Sequence, residues 1–192
     1  MGELIGFENR FDLLVLFVLV AAFIYGFLQG ALRRFIGLAT SVAAFIFAAQ
    51  VRGSFGEFLA TNWVQFPVSY SRMLGFGIAF AVAVAIAGLT TYAFYERSPI
   101  LPRHPRVDPI LGGCLSVAQA AFLLAVLVMV LDSYFRLPGS PVVNGELTFI
   151  RDFSQAVDVS RVADVYRSSI IPALLSLLGG LVPADVRGLF PA

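Results

Sequence analysis

The chain has 192 residues, of which 59% are hydrophobic and 13% are charged, against roughly 45–50% and 25% in an ordinary soluble domain. A mean hydropathy of +0.88 argues against a disordered chain and against a soluble enzyme, because too little polar material is left to cover a wet surface. Thirteen basic residues, all Arg, nearly balance 12 acidic ones, so no nucleic acid partner is expected. The composition predicts an all-α integral membrane protein in a lipid bilayer.

Four stretches are long and apolar enough to serve as membrane spans. A helix needs about 20 mostly apolar residues to cross the hydrocarbon core. The predicted transmembrane helices are residues 11–31, 35–50, 73–95 and 110–131. The second is short, so it is expected to start nearer Ala31, with Arg33 and Arg34 extending back to the membrane interface.

The first span begins with an acidic residue, Asp12. Its carboxylate is expected to stay at headgroup level, where the positive end of the helix dipole favours it. We expect this span to be retained rather than cleaved as a signal peptide. The residues before it include Glu3 and Glu8, and its apolar run exceeds the roughly 7–15 residues of a signal sequence.

The segment between the second and third spans, residues 52–72, carries aromatic side chains at helical spacing, among them Phe55, Phe58 and Trp63. Such a segment can lie flat on the membrane with one face in the headgroup region. It can equally form a buried cap over the bundle. The sequence leaves both alternatives open.

The fourth span has a clear start signal. Asp108 is expected to be its N-cap, with Pro109 at the first helical position, where a missing N–H costs nothing. The preceding residues 96–109 hold prolines at every third position, which is typical of a polyproline II strand. A stiff linker is favoured over a recognition peptide.

The predicted membrane domain covers residues 1–137, and residues 138–192 form a linker and an amphipathic tail. Residues 146–169 show apolar positions at threes and fours, and Asp158, Arg161, Asp164 and Arg167 alternate in charge at i,i+3 spacing. Residues 170–183 are expected to be too short and too broken to span. They are predicted to lie in the interface or to pack on the bundle.

Small residues recur at every fourth position in the spans, and in a membrane such positions allow helix backbones to approach closely. The predicted helix-packing residues are Gly26, Gly30, Gly37, Gly75, Ala79, Ala83, Gly112, Ser116 and Ala120. Whether these residues pack the helices of one chain against each other or join two chains is left open. A membrane-protein partner or a homo-oligomer is therefore expected.

Polar side chains inside the predicted spans are few, and the largest are the amides of Gln29 and Gln119. Gln119 is expected near mid-membrane, where its amide should hydrogen-bond to another helix. Ion-coupled transporters usually carry an ionisable group in the membrane, and the predicted spans hold none in their interior. A channel or transporter component with a neutral polar lining is the alternative function.

Catalysis and cofactor binding are not expected. The chain has one His, His104, and one Cys, Cys114, which fit no metal-binding spacing. No hydrolase, metalloprotease or phosphate-loop motif occurs. The sequence predicts neither an enzyme nor a cofactor.

The distribution of arginines gives a weak prediction of orientation. Five lie on the side of the two short loops and four on the other side, and basic loops favour the cytoplasm. The five are Arg33, Arg34, Arg97, Arg103 and Arg106, and the four are Arg10, Arg52, Arg72 and Arg136. Both termini are therefore expected outside the cytoplasm.

These residues together resemble one known family. An Asp at the start of helix one, Gly26-x-x-x-Gly30-x-x-Arg33 at its exit, then Gly37, and the segment LGGCLSVAQA at residues 111–120 resemble the colicin V production protein family over about residues 8–137. The resemblance implies a bacterial inner-membrane protein of four helices. It further implies a role in producing or exporting a peptide toxin, and more broadly in envelope homeostasis.

Overall fold

A computed structural model describes residues 10–63, 66–94, 107–136 and 147–188, and every regular element in these ranges is helical. Four long helices come first: α1 (Arg10–Gln29), α2 (Ala31–Asn62), α3 (Val68–Phe94) and α4 (Val107–Phe135). The tail holds α5 (Thr148–Asp158), α6 (Arg161–Val165), a π-helical turn (Tyr166–Ile170), α7 (Ile171–Leu178), a 3₁₀ turn (Gly179–Leu181) and α8 (Ala184–Arg187).

Some sequence predictions concern residues outside these ranges. They are the acidic residues before the first span, the proline-rich linker with His104, and the linker over residues 138–145. The four predicted spans each fall on one of the long helices. Five helical stretches are long and apolar enough to cross a membrane: Phe11–Gln29, Ala31–Asn62, Val68–Thr91, Val107–Phe135 and Arg161–Leu181.

The turn between α1 and α2 consists of Gly30 alone. Its φ of +83° lies in the region that favours glycine over residues with a Cβ atom. A Cβ at this position would also lie 2.6 Å from Oδ2 of Asp108. We call this end of the bundle, where α1 ends and α2 and α4 begin, the Gly30 end, and the opposite end the Asp12 end.

The second long helix is longer than predicted. The prediction of a separate surface helix or cap over residues 52–72 is wrong, because α2 continues without a break to Asn62 and α3 already begins at Val68. At about 1.5 Å per residue, its 32 residues give about 48 Å, well beyond a hydrocarbon core of about 30 Å. Gly56 allows the extension to pack on α3, because a Cβ there would lie 2.6 Å from Cα of Arg72.

The core lies where α2, α3 and α4 meet. Phe45 packs on Phe76 with ring centroids 6.0 Å apart, and on Phe122 edge-on at 5.9 Å. Nearer the Gly30 end, Gly37 of α2 lies against Gln119 of α4. Gly37 precedes Phe45 and Gln119 precedes Phe122, so α2 and α4 run in the same direction. Aromatic pairs at these distances add to the stability gained by burial.

Close backbone contact joins α1 to α4. A Cβ on Gly26 would lie 2.3 Å from the carbonyl oxygen of Gly112 and 2.3 Å from Cβ of Ser116. A Cβ on Gly113 would lie 2.7 Å from the ring of Phe23. Since each position excludes any larger residue, the small side chains here set the spacing of two helices within one chain.

The remaining predicted packing residues lie in different surroundings. Gly75 approaches the backbone of Gly56, with 3.1 Å from its built Cβ to the Gly56 nitrogen. Ala120 is buried and Ala79 is partly buried against the core. Ala79 and Ala83 also line an open apolar groove between α2 and α3. The row of small residues on α3 thus begins inside the bundle and continues on its outer face.

The tail differs from the single amphipathic helix predicted for residues 146–169. Ser160 interrupts it and caps α6, accepting a hydrogen bond from the Ala163 N–H at 3.0 Å. From Arg161 the helical stretch continues to Leu181 through the π-helical turn. By length and composition this stretch could cross a membrane. The segment predicted from the sequence, residues 170–183, begins nine residues later and is therefore shorter.

Candidate functional site

Polar side chains from all four long helices surround one cavity of about 220 Å³ near the Gly30 end. Its lining combines charged, amide and hydroxyl groups with two glycines. The lining residues are Tyr25 and Gln29 of α1; Arg33, Arg34, Gly37, Thr40 and Ser41 of α2; Val84, Gly88 and Thr91 of α3; and Gln119 of α4. The two amides predicted inside the spans therefore meet at one site, together with two arginines.

Gln119 connects α4 to α2 through its amide. Its Nε2 donates to the carbonyl oxygen of Gly37 at 3.2 Å and to Oγ of Ser41 at 3.1 Å. Its Oε1 accepts from Nη1 of Arg34 at 3.4 Å. The close approach at Gly37 brings the amide within reach, because a Cβ there would lie 3.0 Å from Oε1.

Arg34 turns into the bundle. Its Cζ lies 4.3 Å from the centre of the Tyr25 ring, a cation–π distance, and Nη1 reaches Gln119. Its Nε and Nη2 are buried and have no hydrogen-bond partner among the described residues. The guanidinium thus lies among the helices near the Gly30 end, and the placement of Arg34 at the membrane interface stays a prediction. Arg33 lines the same cavity and is half-buried.

Asp108 lies at the same end of the bundle but is not among the lining residues. It is buried, against Gly30. Helix α4 begins at Val107, so Asp108 lies within its first turn and Pro109 is its third residue. The prediction of Asp108 as N-cap is wrong by this margin, although an acidic group in a first turn still favours the helix dipole.

Asp12 occupies the other end and contacts the tail. Its carboxylate is 2% exposed and accepts hydrogen bonds from Oγ of Ser160 and from the Val162 N–H at 3.4 Å. The predicted position of Asp12 at headgroup level stays a prediction. The structure adds that the carboxylate is buried between α1 and α6, where Ser160 both binds Asp12 and caps the helix.

A buried ion pair at the same end joins the tail to α4. Arg167 donates from Nε and Nη2 to the two carboxylate oxygens of Asp132, each at 2.7 Å. Nη2 also contacts Asp158 at 2.7 Å, while Asp164 lies 3.8 Å away. The sequence suggested only a local alternation of charges and missed Asp132. A lone carboxylate at the end of an apolar span was the available signal.

Arg167 lies in the widened π-helical turn that precedes Pro172. Pro172 has no N–H to donate to the residue four positions earlier, so an α-helical turn could not be completed there. The Ile171 N–H instead bonds to the carbonyl oxygen of Tyr166, five residues back. The irregular turn thus lies where the tail meets α4.

The sequence also contains a partial signal for the lining of this cavity. Tyr25 and Gln29 are four residues apart on α1, and Arg33, Gly37 and Ser41 are four apart on α2. Residues at this spacing share one face of a helix. Aligning the two faces across the turn at Gly30 gathers five of the eleven lining residues.

The described helices define the class: a polytopic α-helical membrane protein with a polar cavity among its four long helices. The chain belongs to the colicin V production protein family, whose model matches residues 11–181. The match extends through the tail to the 3₁₀ turn, well past residue 137, where we expected the resemblance to end. No curated protein and no solved structure matches the chain.

Proposed function

We propose that the protein is a non-catalytic component of the bacterial inner membrane that supports the production or export of a peptide toxin, or envelope homeostasis. It acts by packing its helices with a second copy or with a partner protein. Family membership supports the toxin and envelope roles. The observation that carries the packing role is the outer face of α3.

That face lines an apolar groove of about 640 Å³ between α2 and α3. Its α3 side includes Ala79, Ala83 and Ala87, and its α2 side includes Phe47 and Phe55. In lipid, hydrophobicity alone does not drive helices together, and close approach over small residues supplies much of the attraction. The three alanines therefore offer a path for a further transmembrane helix.

Site-directed crosslinking tests this proposal in native membranes. A cysteine replaces Ala83 in a Cys114→Ala background and carries a photoreactive benzophenone. The matched control places the same cysteine at Phe17 of α1, whose side chain is 74% exposed. We expect a discrete adduct from position 83, either with a second copy or with one other protein, and none from position 17.

The adduct must also disappear when Ala87→Phe fills the groove. Adducts with lipid alone at both positions, or a protein adduct that survives Ala87→Phe, would overturn the packing role. The identity of the crosslinked chain separates self-assembly from a partner protein.

A second candidate function is a channel or transporter component, and the polar cavity favours it. The lining holds the amides of Gln29 and Gln119, but Arg33 and Arg34 also line it, so it is not the neutral lining that this alternative predicted. Proteoliposomes containing the protein test it through the flux of ions and small solutes. Flux equal to that of empty liposomes would eliminate this candidate.

We further propose four membrane crossings with both termini outside the cytoplasm. The start of α1 and the tail lie at one end of the bundle, since Asp12 bonds to Ser160. Arg33 and Arg34 lie at the opposite end, near Gly30. In the loops and flanks of the four spans, five arginines lie on that side and four on the other, which supports its placement in the cytoplasm.

A further inference from the structure

We propose that the polar cavity at the Gly30 end binds a phosphate group, either as the free ion or as part of a lipid headgroup. Arg34 supplies the charge, and its Nε and Nη2 are buried with no hydrogen-bond partner among the described residues. Buried donors that lack an acceptor cost free energy, and an anionic oxygen removes that cost. Nε and Nη2 together form one edge of the guanidinium, which fits two oxygens of a phosphate.

The buried arginine of the tail shows what this edge can bind. Arg167 uses the same two atoms, Nε and Nη2, to hold both oxygens of Asp132 at 2.7 Å. At Arg34 the third nitrogen, Nη1, is directed to Gln119 and the guanidinium lies over Tyr25. These two contacts fix the guanidinium plane before any ligand binds, which reduces the entropy lost on binding.

The surroundings suit a tetrahedral anion. Tyr25 and Gln29 line the cavity from α1, and a hydroxyl and an amide are groups that can donate to phosphate oxygens. No carboxylate is among the lining residues, and Asp108 lies outside them, against Gly30. A water molecule occupies about 30 Å³ in the liquid. A cavity of about 220 Å³ therefore has room for one phosphate group and a few waters.

On the proposed membrane placement, on which this step rests, the cavity is also at a depth that lipid headgroups reach. Arg34 is the fourth residue of α2, so its Cα lies about 5 Å along the axis from the start of that helix. Headgroup phosphates occupy the zone next to the hydrocarbon core. Both sources of phosphate therefore have access to this end of the bundle.

Two variants attack the site independently. Arg34→Gln removes the charge, and Gly88→Leu fills the cavity from α3, where a built Cβ meets no atom within 4 Å. The matched control is Gly53→Leu on α2, which also meets no atom within 4 Å and does not line the cavity. Thermal unfolding and size exclusion establish that each variant is folded. Should Arg34→Gln fail to fold, Gly88→Leu still tests the site.

Binding is measured in two ways. Radiolabelled inorganic phosphate is equilibrated with the purified protein in a neutral, phosphate-free detergent, and retained lipid is detected by native mass spectrometry after exposure to phosphatidylglycerol vesicles. We expect wild-type protein and Gly53→Leu to bind in at least one assay. Gly88→Leu and Arg34→Gln should each weaken that binding about tenfold or more, and Arg34→Lys should restore part of it.

Each outcome decides the proposal. Retention of phosphatidylglycerol without binding of inorganic phosphate identifies the lipid headgroup as the source, and the reverse identifies the free ion. Absence of binding in both assays, which is the result for a cavity filled by water alone, would overturn the proposal. Binding by Gly88→Leu and Arg34→Gln that is as strong as binding by the wild-type protein would overturn it as well.

Discussion

Arg167 of the tail holds Asp132 of α4 through two parallel hydrogen bonds of 2.7 Å, with only 9% and 4% of the two side chains exposed. The two residues are 35 positions apart in the chain. Charges removed from water in this way are costly unless both remain paired. The pair therefore makes the docking of the tail on α4 a condition of stability.

Asp132→Asn should destabilise the protein strongly. It leaves the Arg167 guanidinium buried opposite a neutral amide, with the exposed Asp158 and Asp164 as the remaining counter-charges, and breaking a buried pair costs about 3–5 kcal/mol. The measurement is chemical unfolding in detergent micelles. The control is Glu57→Gln, whose ion pair with Arg72 is 63% and 45% exposed and is expected to contribute about 0–1 kcal/mol.

Replacing both partners should be milder than replacing one. In the double variant Asp132→Leu with Arg167→Met, no unpaired charge remains inside, and such replacements are often neutral or stabilising. Equal losses in the single and double variants would contradict the ion-pair argument. They would indicate instead that the shape of this contact matters more than its charge.

Ser160→Ala should remove two interactions at once. The hydroxyl donates to Asp12 and accepts from the Ala163 N–H at 3.0 Å. Loss of a helix cap costs about 1 kcal/mol, and the carboxylate left without its donor adds about 1–3 kcal/mol. Unfolding measurements should show a loss several times that of Ser176→Ala, an exposed serine that bonds only within its own helix.

Gly26→Leu should disrupt the packing of α1 on α4. A Cβ at this position already lies 2.3 Å from the Gly112 carbonyl oxygen, so a leucine forces the two backbones apart. Overpacking of this kind costs about 1–3 kcal/mol or more. Gly53→Leu is the control, because its Cβ meets no atom within 4 Å and leucine improves helix propensity there. Thermal unfolding of both variants in the same detergent gives the comparison.

The sequence predicts the four long helices because each is an apolar run long enough to identify without knowledge of its neighbours. The extension of α2 was missed since the predicted span ends before the charge of Arg52, whereas the helix continues past it and Gly56 allows the contact with Arg72. A glycine inside a helix costs about 1 kcal/mol on its own. Only the neighbouring helix shows what compensates for that cost.

The long-range polar contacts could not be predicted from the sequence, for a different reason. Asp12 and Ser160 are 148 residues apart, and Arg34 and Gln119 are 85 apart. No periodicity relates such positions. At Arg34 the general tendency of arginine to reach the membrane interface gives no indication of the contacts with the Tyr25 ring and the Gln119 amide that the structure shows.

The number of crossings gives the last prediction. If the tail lies on the bundle and four helices cross, a reporter before residue 11 and a reporter after residue 188 lie on the same side of the membrane. If the stretch Arg161–Leu181 also crosses, they lie on opposite sides. We expect the same side, because Arg161 follows directly on Ser160, which is held at Asp12, and Arg167 is paired with α4 within two turns of it.

Alkaline phosphatase, active only outside the cytoplasm, and green fluorescent protein, fluorescent only inside it, are fused in turn at both positions. We expect phosphatase activity and no fluorescence at both. Activity at one position and fluorescence at the other would establish five crossings and contradict the four-span proposal. Fluorescence at both would keep four crossings and reverse the orientation, placing Arg33 and Arg34 outside the cytoplasm against the arginine bias.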